Sequence, residues 1–131
     1  MRIAKNLYEE MVAHARAEAP NECCGLIASL DGMAVAVHPA VNLAASPLRY
    51  EVDPGEQYRI MMAIEDAGQE LGAIYHSHTR SAPYPSQTDI NLAFHPEALY
   101  VIVGLAAGDT ADVRAYSIRR GEVSQVELVV D

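Results

Sequence analysis

The chain has 131 residues, half of them hydrophobic, with no Trp and one Phe, and its 18 acidic and 9 basic residues give a net charge of −9. That length fits one domain, residues 1–131, burying about two-thirds of its unfolded surface in a mostly aliphatic core. The acidic balance, with no basic cluster beyond Arg119-Arg120, argues against nucleic-acid partners and against an anionic membrane surface.

Cys23 and Cys24 are the only cysteines and are adjacent, so they cannot staple distant parts of the chain. No secretory pattern opens the sequence, and no apolar run reaches the roughly 18 residues of a membrane span. A cytoplasmic protein is expected.

Residues 5–19 have the spacing of an amphipathic helix. Leu7, Met11, Ala15 and Ala19 recur every four residues, while Lys5, Glu9, Arg16 and Glu18 fall elsewhere. Pro20-Asn21 ends it, and His14 reads as a solvated or half-buried side chain. Cys23 to Leu30 is an apolar run of strand length. Asp31-Gly32 then marks a hairpin, with Met33 to His38 as the partner strand. Residues 39–52 are irregular, broken by Pro39 and Pro47, with a possible short strand over Arg49–Val52. Asp53 as N-cap, Pro54 at N1 and Glu56 at N3 open a second helix, which runs to about Glu70. Tyr58, Met61, Met62 and Glu65 share one of its faces, and the methionines read as core filler.

Gly72 to His78 reads as a buried strand ending in polar residues. Strand side chains alternate faces, so His76 and His78 point the same way, with Cα atoms about 6.5 Å apart. Two imidazoles so placed can converge on one metal ion. Asp89, eleven residues on, offers a hard oxygen ligand. Two His and one carboxylate, with a fourth position for water, form the ligand set of a catalytic zinc site. Taken singly, each signal also has a structural reading. The histidines can be ordinary polar residues, and Ser86…Asp89 a capping box opening a helix over 87–95. Cys24 reads as a small buried hydrophobe. His95 reads as a partner for that helix's C-terminal dipole. Three strands follow, Ala98–Ala106, Val113–Arg119 and Val123–Val130, turning at Gly108-Asp109 and Gly121.

The combined pattern, Glu22, then His76-Ser77-His78, seven residues, then Ser86-x-x-Asp89, resembles the JAMM (MPN-plus) family of zinc metallopeptidases. The Pro-x-Glu-x-Cys-Gly-Leu context of Glu22 is also similar. The resemblance implies an α+β fold, with a mixed central sheet between helices, like that of the cytidine deaminases. The deaminase signature itself is absent. It implies one Zn2+ on His76, His78 and Asp89, Glu22 as general base and acid, and Ser86 as hydrogen-bond donor to the oxyanion. It implies too that residues 42–52 help seat an extended tail of the substrate.

Within the family the resemblance is closest to compact bacterial enzymes that release cysteine from the Gly-Gly terminus of a ubiquitin-like sulfur-carrier protein. It is carried by Glu65-Asp66-Ala67, by Ile74 to Thr79 and by Ala82 to Asp89. Thr79 stands where many members have Pro. The alternatives are a general isopeptidase that removes ubiquitin-like modifiers from lysine, an inactive MPN scaffold, and a module with structural zinc only.

Overall fold

The computed structural model describes residues 1–131. The elements in order are β1 (Arg2–Ile3), α1 (Lys5–Glu18), β2 (Cys24–Leu30), β3 (Met33–Ala40), α2 (Pro54–Asp66), β4 (Glu70–His78), α3 (Gln87–Asn91), β5 (Leu99–Gly104), β6 (Asp112–Arg119), β7 (Glu122–Val126) and β8 (Val129–Val130). No helix is long and apolar enough to cross a membrane. The eight strands form one mixed sheet in the order β7-β6-β5-β4-β2-β3-β1-β8. β4 and β5 run parallel, whereas β2 pairs antiparallel with both β3 and β4.

Alternation along β4 separates two cores. Ala73 and Tyr75 pack with Met11 and Ala15 of α1, and Ile74 packs with Ile64 of α2. His76 and His78 continue the Ile74 row, so the sheet's pleat delivers both imidazoles to the side of α2 and α3. The sheet also curls. β7 and β8 lie at its opposite edges, yet only Glu127 and Leu128 join them. Three peptide steps span at most about 11 Å, which brings the two edges close together. Leu128 and Val113, from near those edges, pack against the cluster that contains α1.

The structure corrects several expectations. The last apolar run is two strands, and β8 crosses to pair with β1 rather than extending the meander. Helix α2 ends at Asp66 because Gly68 takes φ 72°. The Gly68 N–H then bonds the Glu65 carbonyl and the Gln69 N–H the Ile64 carbonyl, a Schellman stop. Its buried face is Ile60, Met61 and Ile64, while Tyr58 and Met62 are exposed. Helix α3 stops at Asn91 instead of reaching residue 95. Pro96 disfavours helical backbone at His95, which leaves Phe94 exposed and His95 beyond the helix, its Nε2 3.2 Å from the Gln57 side chain. Arg49–Val52 forms no strand, only an isolated bridge from Val52 to Asn42.

Gly25 faces Tyr75 across β2 and β4. A methyl group there would overlap Cε1, Cζ and the hydroxyl oxygen of Tyr75, whose hydroxyl also lies 2.7 Å from Nδ1 of His14. Tyr75 is fully buried and has nowhere to retreat. Gly25→Ala is therefore expected to lower the unfolding free energy by roughly 1–3 kcal/mol, measured by denaturant titration of both proteins. His14 is half-buried, as the sequence suggested.

Candidate metal centre

His78 is the last residue of β4, beside Gly104 at the end of β5. Because Gly104 has no side chain, Pro83 of the following loop packs close over it. The Pro83 carbonyl accepts from the Tyr116 hydroxyl, and Tyr84 stacks edge-on against the Tyr116 ring. These contacts turn the chain back, so that α3 begins next to the histidines.

Ser86 and Asp89 then form a complete capping box. The Asp89 N–H donates to Ser86 Oγ at 3.1 Å, and the Ser86 N–H donates to Asp89 Oδ2 at 2.9 Å. That same Oδ2 lies 3.1 Å from His76 Nε2 and 3.0 Å from His78 Nε2, and the two imidazole nitrogens are 3.2 Å apart. The cap and the cluster thus share one oxygen atom.

Three donor atoms at these separations match one face of a tetrahedron. Ligands at 2.0–2.1 Å from a four-coordinate ion sit about 3.3 Å apart. All three residues are buried, so the cluster can coordinate a metal ion in a largely desolvated site. The protonation states agree with that geometry. Burial disfavours the charged His76 and keeps its imidazole neutral. Burial opposes charge on His78 as well, but the Asp89 and Ala82 hydrogen bonds outweigh it and raise the ring's pKa. Burial likewise works against the Asp89 carboxylate, yet the two imidazoles hold it below the usual range. The carboxylate is thus held charged beside the imidazoles, and binding of a metal ion requires the ligating nitrogens to be unprotonated.

Glu22 lies in the segment between α1 and β2. Its N–H donates to the Ser46 carbonyl (2.9 Å), and its carbonyl accepts from Asn42 Nδ2 (3.0 Å). Its side chain is buried, and Oε1 has no hydrogen-bond partner. Burial pushes its carboxyl up to about 8, with His78 opposing and Asp89 reinforcing. Glu22 is no member of the three-atom cluster, but it sits within reach of its field.

Three residues outside the expected set of ligands and catalytic groups hold this arrangement. Ser77, between the histidines, points to the opposite face, where its Oγ accepts from the Cys23 N–H at 2.8 Å. Thr79, in place of the family's common Pro, donates to the Pro20 carbonyl at 3.2 Å. Asn42 bridges Glu22 to the irregular segment, since its Nδ2 also donates to the Arg49 carbonyl and its Oδ1 accepts from the Ala44 and Glu51 N–H groups. Cys24 pairs in register with His76, but burial pushes its thiol up to about 12 and keeps it an inert hydrophobe.

Residues 4–119 match a family model described as prokaryotic homologs of the JAB domain. The chain is 40% identical over 125 residues to the CysO-cysteine peptidase of Mycobacterium tuberculosis, covering 94% of this chain and 86% of the relative. It is 37% identical over 129 residues to a probable TtuB-protein conjugate cleaving protease of Thermus thermophilus, covering 98% and 81%. Among solved structures, a protein of Desulfitobacterium hafniense matches at TM-score 0.88 and 33% identity, over 100% of this chain and 93% of that one. A JAB1/MPN domain protein of Archaeoglobus fulgidus matches at TM-score 0.66 and 21% identity, over 99% and 98%, and shares the α+β fold.

Proposed function

The chain belongs to the JAB-domain, or JAMM, family, and from that premise we propose that it is a zinc metallopeptidase acting on a ubiquitin-like sulfur-carrier protein. It hydrolyses the bond after the carrier's C-terminal Gly-Gly and releases cysteine, working as a single cytoplasmic domain over residues 1–131. The observation that carries this reading is the cluster of His76 Nε2, His78 Nε2 and Asp89 Oδ2 within 3.0–3.2 Å of one another, in a relative of a CysO-cysteine peptidase.

His76, His78 and Asp89 would hold the zinc, as a mixed nitrogen and oxygen set suits that ion. Zinc bound there would supply a Lewis acid for the scissile carbonyl and would lower the pKa of a bound water to about 7. Glu22 takes the proton from the attacking water and hands it to the leaving amine. Burial raises its carboxyl to about 8 in the metal-free protein, and the positive charge of a bound ion would lower it into the range of a base. Ser86 donates a hydrogen bond to the developing oxyanion. Its Oγ already accepts from Asp89, so its own proton stays free to point at the substrate. Residues 42–52, with Leu43 and Leu48 exposed, lie along the approach of the extended tail and can bond its main chain.

A second reading, hydrolysis of carrier–lysine isopeptides, is favoured by one feature. A cavity of about 270 Å3 beside Glu22 is lined by Glu18 and Glu56, with no Lys or Arg. It suits an amine better than the carboxylate of free cysteine. The test is a parallel assay of a carrier–cysteine adduct and a carrier–lysine conjugate with zinc-loaded protein. Faster release from the cysteine adduct is expected. Faster cleavage of the lysine conjugate would establish the second reading, and inertness toward both would remove the peptidase assignment.

A further inference from the structure

The two imidazoles of the cluster are supported in different ways. His78 has the usual arrangement, its Nδ1 bonded to the Ala82 carbonyl at 2.8 Å, which fixes the ring and turns Nε2 inward. His76 has no such bond. Its Nδ1 is buried and meets no hydrogen-bond partner. Something else must hold this ring, because a free imidazole rotates about its last side-chain bond.

The ring of Tyr50 lies against it. The two centroids are 4.5 Å apart and the planes are inclined by only 23°, a stacked pair. Tyr50 comes from the irregular segment, not from the sheet, and that segment is tied down where it matters. Asn42 bonds the Arg49 carbonyl and the Glu51 N–H, on either side of Tyr50, and also bonds the Glu22 carbonyl. The position of the Tyr50 ring is therefore coupled to the backbone that sets the Glu22 carboxylate. The contact is face to face between the rings and does not involve the Tyr50 hydroxyl.

We propose that Tyr50 is a positioning residue for the metal centre, orienting His76 by stacking where the other ligand histidine relies on a hydrogen bond. This rests on reading the cluster as a metal site. Zinc affinity by chelator competition, and the visible spectrum of the cobalt-substituted protein, are to be measured for the parent, Tyr50→Phe and Tyr50→Leu. Tyr50→Phe keeps the stack and is expected to match the parent within about twofold. Tyr50→Leu keeps apolar volume without the stack, and is expected to weaken zinc binding by about tenfold or more and to shift the cobalt bands.

A parent that binds zinc while Tyr50→Leu matches it in affinity and spectrum overturns the positioning role and leaves the metal reading intact. A parent that binds no zinc overturns both. One measurement needs no variant. In the zinc-loaded parent, the NMR signals of the His76 ring protons are expected upfield of those of His78, because the Tyr50 ring current shields them. Absence of that shift would also overturn the proposal.

Discussion

Glu22→Gln is expected to keep a full complement of metal and to lose turnover by about 10²–10⁴-fold. The substitution is nearly isosteric. The backbone bonds that place this residue, from its N–H to Ser46 and from Asn42 to its carbonyl, do not involve the side chain. The carboxylate is also absent from the three-atom cluster, so nothing that grips the ion is removed. What disappears is the capacity to take a proton.

The same substitution carries a stability signature with a definite sign. Burial raises the Glu22 carboxyl from 4.5 to about 8 in the metal-free protein. Between those values the native state holds a proton that the unfolded chain has released. Stability from this group is therefore fully present below about pH 4.5 and is lost as pH rises toward 8. Glutamine has no such titration, so the metal-free variant is expected to lose less stability than the parent between pH 5 and pH 8. Paired denaturant titrations, run beside zinc analysis and a turnover assay, check all three points. Turnover at the parental rate would take Glu22 out of the mechanism.

Legibility from sequence followed the length of the interactions. His76 and His78 were readable because a strand's period fixes their common face, and Ser86 and Asp89 because a helix cap has a fixed three-residue reach. The structure shows one Asp89 oxygen serving both patterns. Glu22 was reachable only through family resemblance, since no local rule brings it to a strand 54 residues later. Tyr50, Asn42 and Ser77 had no local signal. Each matters through a contact between segments distant in sequence: Tyr50 with His76, Asn42 with Glu22, Ser77 with Cys23. The two-residue strands β1 and β8 escaped for a related reason. A pair too short to show any periodicity is defined only by its partner across the curled sheet. The extent of α3 was overestimated because apolar residues up to Phe94 continue the pattern, whereas Pro96 restricts the backbone before it.

Asp89→Ala is expected to abolish metal binding and activity together. The Asp89 carboxylate supplies the only negative charge in the cluster, and its Oδ2 is the atom on which both imidazoles converge. Without it, two buried neutral nitrogens 3.2 Å apart remain, a much weaker site for a divalent ion. The substitution also removes half of the capping box, where Oδ2 accepts from the Ser86 N–H. Loss of a cap costs about 1 kcal/mol, and a displaced α3 would lower metal content by itself. Asp89→Asn separates the two effects. An amide oxygen can still accept from Ser86 and keep the helix start, but it brings no charge to the ion. Metal analysis of protein purified without added metal, with His78→Ala as a third variant, is expected to find near one zinc in the parent and almost none in all three variants. If Asp89→Asn bound zinc as the parent does, the cap rather than the charge would be what the cluster requires. If Asp89→Ala did so, the ion would sit elsewhere, and the pattern from His76 to Asp89 would reduce to a strand end beside a helix cap.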